Sequence, residues 1–150
     1  MSAYLLDVNV LVAMLWPAHE SHAAVQRWFV ARSRRGWATC PFTEAGFVRI
    51  VSNPAFSSDA VTPEEALRVL QANLKHPGHR FWSDDIGLVE AVEHFRPRLV
   101  GHRQVTDAYL LGLALRRRGK LVTLDRGVLA LLTAQSPERE HLEVIGDGAP

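Results

Sequence analysis

Short apolar runs that end at an acid, each followed by a helical pattern, recur along this chain. Residues 5–7 read as a buried strand closing at Asp7. Residues 8–15 then form a short helix stopped by Trp16-Pro17. From 20 to about 35 the apolar positions Ala24, Val25, Trp28, Phe29 and Ala31 predict an amphipathic helix with an arginine-rich end, closed by Gly36. Residues 37–40 are a second strand, and 42–51 a helix ending before Asn53-Pro54. The stretch 52–63 is the most loop-like. Thr62-Pro63-Glu64-Glu65 starts a helix that runs to about His76: a capping threonine, proline in the first turn, then acids near the positive end of the dipole.

Residues 80–82 predict a short strand, and Ser83 or Asp84 a cap for a helix through Val92. A loop over 96–102 leads into a helix over 107–118 that Gly119 ends. Residues 121–124 are a strand, 128–133 a helix and 142–145 the last strand. Strands alternating with helices imply an α/β protein: three layers, with a central mostly parallel sheet flanked by helices on both faces. No repeat, linker or low-complexity tract interrupts this, so residues 1–150 are expected to form one domain.

Composition narrows the class. The chain has 150 residues, 47% hydrophobic and 22% charged, and its single cysteine, Cys40, excludes an internal disulfide. The N-terminal apolar run lacks a basic flank and is broken by Asp7 and Asn9. Nothing in the sequence is long enough to span a bilayer, so a cytoplasmic protein with no membrane partner is expected. Net charge is only +1, which argues against a bulk cationic field. Of the 17 basic residues only Lys75 and Lys120 are lysines. Arginine offers a planar fork suited to phosphate, although a G+C-rich genome has the same effect on composition.

Four acids carry the candidate chemistry: Asp7, Glu44, Asp107 and Asp125. Each has an ordinary explanation. Asp7 and Asp125 can be helix caps or turn residues, Asp107 a first-turn acid facing the helix dipole, and Glu44 a solvated helix residue. Their shared context points elsewhere. In a parallel sheet the strand exits converge on one edge, so acids distant in sequence can meet there. Carboxylates brought together need a cation, and hard oxygen donors favour Mg²⁺ or Mn²⁺.

The segments Leu5-Leu6-Asp7-Val8-Asn9, helical Glu44, Thr106-Asp107-Ala108-Tyr109-Leu110-Leu111-Gly112-Leu113-Ala114 and Thr123-Leu124-Asp125-Arg126-Gly127 resemble the PIN-domain ribonucleases. They look most like the toxins of VapBC toxin–antitoxin pairs. That resemblance implies a metal-dependent endoribonuclease in which Asp7, Glu44, Asp107 and Asp125 hold one or two Mg²⁺ or Mn²⁺ ions. Asn9 and Thr123 would orient those acids, with Thr106 a weaker candidate for the same task or an N-cap. The implied partners are an RNA substrate, a small VapB-like antitoxin and a second copy of the chain in a homodimer. Many PIN domains carry a further acid shortly after the fourth; here Arg126, Gly127 and Val128 follow Asp125, which leaves one ion or two open.

His102 and Arg103, just before the helix bearing Asp107, are candidates for RNA phosphate contact. His19-x-x-His22 and His76-x-x-His79 have a metal-like spacing but lack cysteine partners, and read as exposed histidines. A phosphoacceptor receiver module would need an adjacent acid pair early and a lysine after a late strand, and neither is present. A DNA-directed nuclease of related fold and a catalytically silent PIN scaffold are the remaining alternatives.

Overall fold

In the computed structural model, which describes residues 3–146, five short strands form one sheet. They are β1 (Tyr4–Leu6), β2 (Trp37–Thr39), β3 (His79–Phe81), β4 (Lys120–Thr123) and β5 (Leu142–Val144). Their order is β3-β2-β1-β4-β5, and every pairing is parallel. Successive strand residues point to opposite faces. Tyr4, Leu6, Trp37 and Val122 therefore enter one core, while Leu5, Ala38 and Leu121 enter the other.

Helices α1 (Val8–Leu15), α2 (His22–Arg32), α3 (Pro41–Val51) and α4 (Pro63–Leu74) supply the apolar side chains of the first core. The short α5 (Leu88–Ala91) and α6 (Val105–Arg116) supply the second. The result is three layers. The chain builds outward from β1 through β2 to β3, then crosses the sheet and returns to the other side of β1 as β4. The order thus reverses between β1 and β4, and a parallel sheet opens a crevice at such a point, outside the carboxyl ends of its strands.

Several boundaries differ from the sequence pattern for identifiable reasons. The helix expected from residue 20 begins at His22 and tightens into a 3-10 turn at Ser33–Arg35 before Gly36. The helix expected from Ser83 shrinks to Leu88–Ala91, with Gly87 at its N-cap. Ser83 and Asp85 are engaged elsewhere: Arg117 donates to the Ser83 hydroxyl at 2.9 Å, and Arg116 and Arg117 both pair with Asp85. Residues Arg126–Leu131 form a 3-10 helix rather than the expected α-helix.

Gly119 does not supply the left-handed residue that ends α6. Arg118 does, at φ 55°. Gly119 is needed for space, since a Cβ there would lie 2.4 Å from the Ala3 carbonyl oxygen. Thr62 caps α4 as its sequence suggests, accepting from the Glu65 amide while Glu65 accepts from the Thr62 amide. Among the described residues no helix is long and apolar enough to cross a membrane.

The second core is tightest where α6 meets α5. A Cβ on Gly112 would stand 2.0 Å from the Ala91 carbonyl oxygen, a backbone atom that cannot rotate away. Gly112→Ala gains about 1 kcal/mol of helix propensity. The overpacking costs about 3 kcal/mol, the upper end of the usual range, because two backbones must separate. A net loss of about 2 kcal/mol is expected, lowering the melting temperature by about 4–8 °C. Thermal unfolding followed by circular dichroism checks it.

Candidate active site

The crevice between β1 and β4 is built from their last residues. Leu6 pairs with Val122, and the next amide, that of Asp7, donates to the Val122 carbonyl at 2.9 Å. Asp7 then leaves the strand and caps α1: its Oδ1 accepts from the Val8 amide at 2.7 Å. Its Oδ2 accepts from the hydroxyl of Thr123 at 2.7 Å. That hydroxyl is wholly buried, and Asp7 is only 6% exposed.

Thr123 Oγ1 is a hub. While donating to Asp7 it accepts from Asn9 Nδ2 at 3.2 Å and from the Asp125 amide at 3.0 Å. Asn9 Oδ1 in turn accepts from the Leu124 amide at 3.1 Å. Both strand exits are thereby fixed to one another. Asp125, just beyond, accepts from the Gly127 amide through Oδ1 at 2.7 Å, which sets the direction of its carboxylate.

The third acid arrives from the opposite layer. Asp107 lies in the first turn of α6, whose N-terminus reaches the same edge of the sheet because the helix runs back against the strands. Burial, then the charges of Asp7 and Asp125, push its carboxyl from the ordinary 3.8 up to about 7. A helix N-terminus stabilises an acid by only about 0.3–1 kcal/mol, too little to offset a shift of this size. Asp7 is raised as well: burial is the main cause and Asp125 adds to it, against the hydrogen bonds from Thr123 and Val8. Three aspartates from three elements therefore share one field.

Glu44 sits on the same edge, in the first turn of α3, which follows β2. Its Oε2 accepts from the Thr39 hydroxyl at 2.6 Å. Thr106 adjoins Asp107, but the N-cap of α6 is Gln104, so threonine does not cap this helix. Thr106 instead lines a cavity of about 270 Å³ with Phe42, Asp84, Ile86, Val105 and Tyr109. His102 and Arg103 occupy an exposed 3-10 turn leading into α6.

The donor set is all carboxylate and hydroxyl oxygen, which suits a hard divalent cation. The repulsion that adds to burial in raising Asp7 and Asp107 is relieved by positive charge. Among the described residues no three His, Cys, Asp or Glu side chains are arranged to hold an ion directly.

The paired histidines have structural partners. His19 Nδ1 accepts from the Ser21 amide, His22 Nδ1 meets the Ala13 carbonyl, and His76 Nδ1 accepts from Trp37 and Gly78. His19, His22 and His79 depart from their reading as exposed: each is half-buried, and His79 Nε2 lies 2.8 Å from Thr39 Oγ1. Nothing in the sequence ties residues 39 and 79 together; the β2–β3 pairing does.

Comparison with known proteins agrees with this architecture. Residues 4–131 match the PIN domain family. The chain is 49% identical over 141 residues to ribonuclease VapC38 of Mycobacterium tuberculosis, covering 94% of this chain and 96% of that one. It is 50% identical over 121 residues to ribonuclease VapC39 of the same organism, covering 81% and 87%. A solved structure, that of PAE2754 from Pyrobaculum aerophilum, superposes with a TM-score of 0.59 at 23% identity, over 88% of this chain and 81% of that one, and so shares the fold. With a sheet that reverses at β1 and β4, a family match over most of its length and relatives at this identity, the chain belongs to the PIN-domain family, on its VapC branch.

Proposed function

We propose that this chain is a Mg²⁺- or Mn²⁺-dependent endoribonuclease that acts as a cytoplasmic toxin, forms a homodimer, and is neutralised by a VapB-like antitoxin. One observation carries the reading. Asp7, Asp107 and Asp125, from β1, α6 and β4, are forced into mutual repulsion at the switch point of the sheet. A fold gains no stability from such an arrangement, whereas a cation-assisted attack on a phosphodiester uses it. The ribonuclease names of the VapC relatives support RNA as the substrate.

A divalent ion bound among the acids supplies positive charge against the scissile phosphate and makes an attacking water more acidic. The chain's own groups do the rest. Thr123 and Val8 fix both oxygens of Asp7, and Gly127 fixes Asp125, so these carboxylates need not reorganise when substrate arrives. A carboxylate of the acid set receives the proton of the attacking water. His102 and Arg103, in the exposed turn leading into α6, contact the RNA backbone. Exposed Phe42, Leu88 and Val105 lie around the cavity next to Asp107, an apolar surface suited to cover by the antitoxin.

Asp7→Asn and Asp125→Asn should each lower RNA cleavage by about 10²-fold or more while leaving the circular dichroism spectrum unchanged. EDTA should stop the wild type, and Mg²⁺ or Mn²⁺ should restore it. Full activity in purified Asp7→Asn would refute the assignment.

Stability should depend on pH in a definite direction. The folded Asp107 binds its proton more tightly than the unfolded one, so between about 3.8 and about 7 the folded state holds more protons. This carboxyl therefore contributes a stability that is full below that window and lost as pH rises through it. His79, held below its ordinary value mainly by burial, contributes in the opposite sense over part of the same range. Comparing wild type with Asp107→Asn isolates the carboxyl: metal-free Asp107→Asn should lose less stability from pH 4 to pH 7. Millimolar Mn²⁺ at pH 7 should raise the wild-type melting temperature and raise that of the variant less.

The antitoxin reading is checked by expressing the chain with the product of the adjacent gene. A stable complex that no longer cleaves RNA is expected. A chain that is harmless when expressed alone, with no such neighbour, would count against it.

A further inference from the structure

A chain of side chains, buried at its centre, runs from the edge strand β3 to Glu44. Glu44 Oε2 accepts from Thr39 Oγ1 at 2.6 Å, and Thr39 Oγ1 lies 2.8 Å from His79 Nε2. Thr39 is wholly buried at the end of β2. His79 opens β3, where it pairs with Trp37 and rests against the Trp37 indole at a ring-centroid distance of 4.8 Å. His79 thus reaches diagonally along the β2–β3 ladder to the hydroxyl two residues further on.

The chemistry of one proton orders this chain. A threonine hydroxyl donates once and accepts through its lone pairs. A hydrogen bond donated to a carboxylate is roughly twice as strong as one between neutral groups, so the Thr39 proton goes to Glu44. With that proton spent on Glu44, Thr39 accepts from His79 in the tautomer that carries Nε2–H. The imidazole ring, held by Trp37, fixes the hydroxyl rotor, and the hydroxyl fixes one oxygen of Glu44. Asp7 is secured comparably through Thr123, so β2 and β4, the two neighbours of β1, each end in a buried threonine that aims an acid.

The geometry points to Thr39 and His79 as positioning residues that orient Glu44 toward the cation. This rests on the metal-dependent reading above and assigns a role to two residues outside the acid set. Losing a partner that orients a metal ligand typically costs 10–100-fold in metal affinity or activity.

The test is Mn²⁺ affinity of the purified chain, read from the free-ion signal in electron paramagnetic resonance, beside RNA cleavage. Thr39→Val keeps the shape and removes the hydroxyl; His79→Phe keeps the ring against Trp37 and removes the donor. Each should weaken Mn²⁺ binding about 10-fold or more. Thr39→Ser and His79→Gln, which retain an O–H or N–H at the same place, should restore most of the affinity. In a Glu44→Gln background, Thr39→Val should cause little further loss, since the carboxylate it serves is gone. Wild-type affinity in Thr39→Val and His79→Phe would overturn the positioning role and leave the proposed function standing. So would losses that simply add to that of Glu44→Gln, or a Thr39→Ser as weak as Thr39→Val, because packing rather than the hydroxyl would then be the cause. A wild type that neither binds Mn²⁺ nor cleaves RNA would overturn the proposed function itself.

Discussion

One buried hydroxyl holds the mouth of this sheet together. Thr123 Oγ1 donates to Asp7 and accepts from Asn9 and from the Asp125 amide, so it joins the exits of β1 and β4 at the point where the strand order reverses. Without that tie two acids on separate loops would drift apart, because like charges near one another in a partly dry environment repel. With it, both carboxylates are aimed before any ligand arrives. Hydrogen bonds to the ionised form of Asp7 also restrain a pKa that burial would otherwise carry higher.

The same arrangement costs stability. Asp107 comes from the opposite layer, at the start of α6, and is brought close enough to Asp7 and Asp125 for its carboxyl to titrate near neutrality. The two cores compensate for that strain. Each face of the sheet is covered by its own set of helices, and close backbone contact at Gly112 locks α6 against α5, holding the helix that carries Asp107. Rigid layers thus deliver a repulsive site.

Much of this was legible along the chain because the determinants are local. The run before Asp7, the span of α1, the capping box of Thr62 and Glu65 and the runs that became β2 and β4 follow from apolar period and cap chemistry. The weaker predictions failed where side chains were drawn off by distant partners. Ser83 is held by Arg117 instead of capping a helix, and the left-handed position falls on Arg118, while Gly119 is needed where there is no room for a side chain.

By itself the sequence determined the alternation of strand and helix, and hence the α/β layers, and it marked acids at strand exits, since each depends on residues within a few positions of one another. It could not say which exits become neighbours. Tertiary structure decided that through the strand order, which placed β4 beside β1 and so set Thr123 against Asp7, 116 residues apart. It also laid β3 beside β2, which turned His79, read from the sequence as an exposed histidine, toward the hydroxyl that holds Glu44. The physical reason is the same in both cases: a hydrogen bond reports distance in space, and only the pairing of strands converts a separation along the chain into one of about 3 Å.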